Sequence, residues 1–345
     1  MIKYLITDKK GLYKANLHAH TTVSDGLYTP EQLKELYVEH GYSIIAFSDH
    51  SIVVPHKELN DENFLSLTAC ELDVSDPINE YGFDPTCHFN IISSTEEIDF
   101  QPLWQRDRER EYLRRKWGDK AKYDENEPLY VRSYTPESVN YMMNWAREHG
   151  YFVIYNHPVW SCEGADKYMN YNGMHAFEIM NYSCIVGGWN EHNDSIYDEM
   201  LRAGKRIFAV AGDDNHLLYD YRAHGRLGDC CGAYTVINAD KLEYSAVIDA
   251  LFKGNFYSSE GPSIYEIKVD GNKVYVRTSE CDTIVYSTAG RRRVTSFIKE
   301  DGKPVTEGIF EIRDIDTYFR ITVTDKYGKK AYSNAYFLDE LFCKK

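Results

Sequence analysis

Three stretches in the first three quarters of the chain repeat one pattern: an amphipathic segment, a short wholly apolar run, then a cluster of His, Asp and Asn. In the first, Thr29-Pro30-Glu31 opens a helix, with Thr29 as cap and Pro30 in the first turn, where a missing N–H is harmless. Leu33, Leu36 and Tyr37 follow at helical spacing, and His40-Gly41 reads as its end. The run Ile44-Ile45-Ala46-Phe47 then leads into Ser48-Asp49-His50. The second stretch opens at Thr135-Pro136-Glu137, places Val139, Met142, Met143 and Ala146 on one face, and stops at His149-Gly150. Its strand, Phe152-Val153-Ile154-Tyr155, ends in Asn156-His157-Pro158. The third runs from Asp194 through Met200 and Leu201 to Gly204, then Ile207-Phe208-Ala209-Val210, ending in Gly212-Asp213-Asp214-Asn215-His216.

Strands that are apolar at every position are buried on both faces, so these units predict a parallel sheet covered by helices. Each strand delivers a His or Asp just past its carboxyl end, the side on which α/β barrels gather their ligands. The pattern therefore predicts a barrel with a polar site at one mouth. Past Glu260 the texture changes. Gly261-Pro262 breaks the chain, and alternating segments at 265–269, 273–277 and 319–323 are separated by turns at Asp270-Gly271, Asp301-Gly302 and Tyr327-Gly328. The expected organisation is an α/β domain over 1–260 and a small antiparallel β-sandwich over 261–345. A charged insertion over 95–134, with Arg106, Arg108, Arg110, Arg114, Arg115 and Lys116, reads as an exposed helical face or a cationic lid.

Composition narrows the function. The 345 residues carry 39 basic and 54 acidic side chains, a net charge of −15, so an extended nucleic-acid surface is not expected. The 43% apolar content excludes disorder. No run reaches the roughly 18 apolar residues of a spanning helix, and the first residues lack the apolar core of a secretory signal. The eight cysteines form no C-x-x-C pair, which points to idle thiols in a reducing, cytoplasmic setting.

The chemistry lies in the strand-end residues. His18 and His20 alternate along Asn16-Leu17-His18-Ala19-His20-Thr21, so both imidazoles reach one face and are able to chelate a single ion. Asp25 sits in a turn at Ser24-Asp25-Gly26, Glu71 ends an apolar run, and His88 opens His88-Phe89-Asn90-Ile91-Ile92. With His50, His157, Asp214 and His216, six of the twelve histidines track the repeat, which scattered core histidines would not do. His40 and His149 have the simpler role of helix ends, and His56, His175, His192 and His224 read as structural or exposed.

The order H-x-H-T-x-x-S-D-G, S-D-H, a strand-terminal Glu, then three further His positions with a D-x-H resembles the PHP (polymerase and histidinol phosphatase) family of metal-dependent phosphoesterases over roughly residues 14–260. It is similar in particular to the stand-alone members with a trailing β domain. The resemblance implies an α/β fold, a distorted (β/α)7 TIM-like barrel, followed by a small antiparallel β-sandwich-like domain. It also implies two or three divalent ions (Zn, Mn or Fe) held by His18, His20, Asp25, His50, Glu71, His88, His157, Asp214 and His216. By the same resemblance Glu71 bridges, with His18, His20 and Asp214 on one ion, His88 and His157 on its neighbour, and Asp25, His50 and His216 on a third. Whether Asp213 or Asp214 is the ligand rests on the D-x-H spacing. Ser48-Asp49-His50-Ser51-Ile52 stands where the family commonly has Thr-Asp-His followed by Asp-Thr, and Asp49 is read as orienting a ligand His.

Asp214 and His216 are the expected catalytic pair, the first steering the proton of the attacking water and the second protonating the leaving oxygen when the third metal site is empty. Arg226 is the candidate for gripping phosphate. The expected partner is a small phosphorylated metabolite, nucleotide or oligonucleotide end, with no membrane, and a homo-oligomer through the β domain is open. Two other readings stand beside it: a metal-dependent hydrolase of carboxylic esters, carbamates or amides, and a non-catalytic metal-binding or sensing protein.

Overall fold

The computed structural model describes residues 2–76, 85–98, 101–103, 130–217, 228–297 and 302–342. The three expected helices are present. In Pro30–Glu39, Thr29 and Gln32 cap one another reciprocally, and Leu33, Leu36 and Tyr37 are buried. Pro136–Glu148 is capped by Thr135 and buries Val139, Met142, Met143 and Ala146. Asp194–Arg202 turns Tyr197, Met200 and Leu201 inward.

The strands divide between two sheets. The first ten are β1 Ile2–Thr7, β2 Gly11–Ala19, β3 Ile44–Phe47, β4 Leu65–Ser75, β5 Thr86–Ser93, β6 Tyr151–Tyr155, β7 Ala176–Asn181, β8 Phe208–Gly212, β9 Tyr234–Ala239 and β10 Phe256–Ser259. Strands β2 to β8 lie side by side in chain order, and the row curls back on itself. Asp214 N donates to His18 O at 2.8 Å, and His20 N donates to Asn215 O at 3.2 Å, so the end of β8 returns to β2. Gly212 permits this approach: a Cβ there would sit 2.8 Å from that of His18.

Two features depart from a regular alternation of helices and parallel strands. β5 runs antiparallel to both β4 and β6, because the short connection after Ser75 suits a return rather than a crossover. Between β3 and β4 only a single 3-10 turn, Lys57–Leu59, is formed.

The remaining strands are β11 Ile264–Asp270, β12 Lys273–Cys281, β13 Thr283–Thr288, β14 Arg293–Phe297, β15 Val305–Glu311, β16 Tyr318–Thr324, β17 Lys330–Ser333 and β18 Tyr336–Phe337. β1 pairs with β11, so the chain's first strand joins the sheet β1-β11-β12-β15 rather than the row that follows it in sequence. β10 pairs with β17, which makes the larger sheet continuous from β8 through to β14. Ile6, Ile267 and Val276 from one sheet share a core with Tyr286, Phe319 and Val323 from the other, the packing of a sandwich. Most of the charged stretch 95–134, including the six cations named above, lies outside the described residues. Among the described residues no helix is long and apolar enough to cross a membrane.

Asp198, on the third helix, takes Arg320 Nε at 2.8 Å and Arg293 Nη2 at 3.1 Å, tying that helix to the C-terminal strands. Arg320 is only 4% exposed, so Asp198→Ala strands a buried cation. Urea unfolding should show a loss of about 3–5 kcal/mol, larger than for Asp198→Asn.

His175 is packed inward, stacked on Phe152 with 5.1 Å between ring centres, and its Nδ1 accepts from Val153 N at 3.0 Å. Burial, then the Arg147 cation, lower its pKa from 6.5 to about 4. Between those values the unfolded chain binds the proton and the folded chain does not, so this contribution is complete above 6.5 and is lost as pH falls toward 4. His175→Asn, which keeps an acceptor, should flatten that part of the stability–pH curve measured by urea midpoints.

Candidate metal centre

The curled row of strands brings the sequence-predicted donors to one end. His18 and His20 project from β2 on the same side, with 5.2 Å between their rings. Glu71 comes from β4, His88 from β5, and His157 from the residues just past β6. Asp214 and His216 follow β8, His50 follows β3, and Asp25 lies in the loop before the first helix. Arg226 lies outside the described residues.

Glu71 stands at the centre. Its Oε1 is 3.3 Å from His18 Nε2, 3.1 Å from His88 Nδ1 and 3.2 Å from His157 Nε2. Its Oε2 is 3.3 Å from His20 Nε2 and 3.1 Å from His50 Nδ1. Asp214 Oδ1 lies 3.1 Å from His18 Nε2 and 3.0 Å from His20 Nε2. Asp25, about half exposed, is the outermost carboxylate, 3.6–3.8 Å from His20, His50 and His216.

The donor atoms fall into groups within 4.8 Å of one another: His18, His20, Glu71 and Asp214; His50, Glu71 and His88; His20, Asp25, His50 and His216. Four of the atoms, His18 Nε2, both ring nitrogens of His20 and Glu71 Oε2, are buried with no hydrogen bond of acceptable geometry. Buried polar atoms are normally satisfied, and orphans gathered within one cluster of imidazoles and carboxylates are what bound cations would account for. Mixed imidazole and carboxylate donors suit borderline divalent ions better than thiolate-preferring ones.

The two adjacent aspartates are turned to different tasks. Asp213 is held by Tyr37 OH at 2.7 Å and by the N–H groups of Cys231, Gly232 and Ala233, and faces away from the cluster. Asp214 adopts φ +54°, a left-handed conformation that Asp tolerates better than most residues, and its carboxylate turns toward the imidazoles. Asp49 does not orient a histidine. It accepts from the N–H and hydroxyl of both Thr21 and Ser24 at 2.8–3.1 Å, and so folds the loop that presents Asp25.

Several contributors escape a sequence reading. Glu178 on β7 is 1% exposed, and its Oε1 takes His18 Nδ1 at 3.0 Å. Its Oε2 takes the N–H of His157 and Asn181 Nδ2. This fixes the tautomer of His18 with Nε2 free to face the cluster, the usual support for a metal-ligating imidazole. Asn156 Nδ2 holds Glu71 Oε1 at 2.8 Å, and Asn181 Nδ2 holds Asp214 Oδ2 at 3.1 Å. The available signal for Glu178 was a lone acid in the apolar run Ala176–Asn181.

Charge is shared across the cluster. Burial disfavours protonated His20 and His157, but Asp214 and Glu71 outweigh it and raise them to about 10 and about 9. His50 moves the other way, to about 4, because burial and neighbouring His20 prevail over Glu71 and Asp25. Against burial, His18, His88 and His50 hold Glu71 well below the usual carboxylate range, and His18, His20 and His216 do the same for Asp214.

The cluster floors an open cavity of about 470 Å³, walled by Trp160, Ser183, Cys184, Gly187 and Trp189. No protein-family model matches the chain, and no curated protein matches it. Solved structures do. A two-domain protein from Bacteroides vulgatus, containing a predicted PHP-like metal-dependent phosphoesterase, is 17% identical with a TM-score of 0.45, over 97% of this chain and 98% of that one. A proposed metal-dependent phosphoesterase from Bifidobacterium adolescentis (14% identical, TM-score 0.35) and an amidohydrolase from Chromobacterium violaceum (16%, 0.35) each match over 59% of this chain and 87% of theirs.

Glu178 does not line this cavity and supports the donors through His18, His157 and Asn181, so its removal should weaken metal binding without unfolding the chain. Equilibrium dialysis with manganese or zinc should show affinity falling about 10–100-fold in Glu178→Ala. Unchanged affinity would mean His18 keeps its orientation unaided.

Proposed function

We propose that the chain is a metal-dependent hydrolase of phosphoester bonds in a small phosphorylated substrate. On this reading strands β2–β8 form the distorted seven-stranded barrel of the PHP fold. Residues 1–260 carry the catalytic domain, and 261–345 form a β domain that borrows β1. The observation that carries the reading is the convergence of nine imidazole and carboxylate side chains at one end of the strands, seven of them lining one cavity and His18 and His20 packed against these with orphaned, buried ring nitrogens.

Divalent cations held by His18, His20, Asp25, His50, Glu71, His88, His157, Asp214 and His216 would supply a water of lowered pKa and neutralise charge on the phosphoryl oxygens. Asp214 is placed to receive the proton of the attacking water, since its carboxylate lines the cavity and is steadied by Asn181. His216 is anchored through Nδ1 on the Asp214 carbonyl at 2.9 Å, so its Nε2 would ligate the third ion or, when that site is empty, deliver a proton to the leaving oxygen. Trp160 and Trp189 stand between this floor and solvent.

The test is a panel of aryl phosphates and matched aryl acetates, assayed with manganese or zinc and with chelator. Aryl phosphate turnover should require metal and fall about 10³-fold, or ~4 kcal/mol of transition-state stabilisation, in Asp214→Ala and Glu71→Ala. Turnover of acetates alone would assign the centre to carbonyl chemistry, and metal binding without turnover of either set would leave a sensing protein.

A further inference from the structure

Beyond the metal centre, the cavity has walls of unusual composition. Trp160 and Trp189 both line it and are 39% and 43% exposed, large apolar surface left open directly over a polar floor. Trp160 meets the rings of His88 and His157 edge-on, with centres 5.4 and 5.0 Å apart, so its indole adjoins the donors themselves. None of the described residues lining the cavity is Lys or Arg.

The two walls are also built to hold station. Glu191, fully buried, sits two residues past Trp189, and its Oε1 accepts the backbone N–H of Trp160 at 2.6 Å. Its other oxygen is taken by Asn193. A buried carboxylate thus locks the Trp160 loop to the Trp189 loop. Trp189 N in turn donates to Cys184 O at 2.9 Å, which ties it to the short helix Tyr182–Val186. Exposed indoles fixed at a ligand cavity are binding surface, since an indole with no partner would be better buried.

We propose that Trp160 and Trp189 form a ring-binding subsite, selecting substrates that carry a flat, uncharged ring beside the bond that is cleaved. The subsite adds a substrate class to the hydrolase reading and rests on it for the identity of the head group. An uncharged ring matches walls with indoles and, among the described residues, no cation. A second anionic group would find no described basic partner there.

The experiment separates ring from head group by using four probes: benzylphosphonate, methylphosphonate, phenylacetate and acetate. Binding to manganese-loaded protein is followed by calorimetry and by indole fluorescence. The ring-bearing member of each pair should bind roughly tenfold tighter and quench fluorescence, as stacking on an indole typically provides. Trp160→Ala and Trp189→Ala should each shrink that preference to about twofold while metal affinity stays unchanged, and Trp160→Phe should restore most of it. Equal binding of ring-bearing and ring-free probes, or a preference that survives both alanine variants, overturns the subsite. A ring preference seen only among carboxylates upholds the subsite and sinks the phosphoesterase reading. A head-group preference for phosphonate without any ring effect does the reverse, and binding of none of the four overturns both.

Discussion

Three carboxylates, Glu71, Glu178 and Asp214, are buried within one strand-end cluster, and their mutual repulsion is the constraint on which the rest of the structure depends. A lone buried carboxylate neutralises itself or costs several kcal/mol, and three together are worse. The chain resolves this by interleaving imidazoles. His18 stands between Glu178 on one side and Glu71 with Asp214 on the other, and His20 and His157 reach the same central oxygens. Positive charge is therefore required between these acids for the fold itself. A divalent cation answers that requirement while releasing the imidazoles from their protons.

Holding such charges in register requires rigid supports, and these are amides placed one layer below. Asn16 links β2 to the turn after β8, accepting from His18 N at 3.2 Å and Asp213 N at 2.9 Å while its Nδ2 reaches Tyr37 OH and Asn215 Oδ1. Asn90 Nδ2 on β5 holds Leu17 O across the row, and Asn156 joins Asn90 to Glu71. All three amides are buried; Asn16 and Asn90 donate and accept at once and Asn156 donates to both Glu71 and Asn90, so the network specifies the relative positions of β2, β5 and the residues after β6 and β8. The donors thus stand on strand ends whose separation is set from below. Asp25 lies farthest along the chain from a strand end, and Asp49 braces its loop through Thr21 and Ser24.

How much of this could be read from the sequence follows from the range of each interaction. Helices were legible because caps and apolar spacing are local: Thr29, Thr135 and the turns of 30–39 and 136–148 behave as their neighbours dictate. The donors were legible because strand-end His and Asp recur with the repeat, and the structure gathers all nine at one end. Pairing direction was not, since nothing local in Thr86–Ser93 distinguishes a parallel from an antiparallel neighbour, nor does Ile2–Thr7 announce that its partner lies more than 250 residues away. Glu178 was missed because strand parity assigns a face without saying what waits on it. Asp49 was misassigned for the related reason that its partners, at Thr21 and Ser24, are fixed only once β3 lies beside β2.

Charge accounting links the centre to the ligand it would admit. The chain carries a net charge of −15, and no described cavity-lining residue is basic, so an approaching anion meets an unfavourable field. Asp25, Glu71 and Asp214 at the floor and Glu178 behind His18 add four negative charges. On the hydrolase reading two divalent cations would only balance those four, and a third would leave the floor positive. Anion affinity would then depend on full occupancy, and Asp25, the most exposed of the carboxylates and the one farthest along the chain from a strand end, would be the residue through which occupancy of the outer group is set.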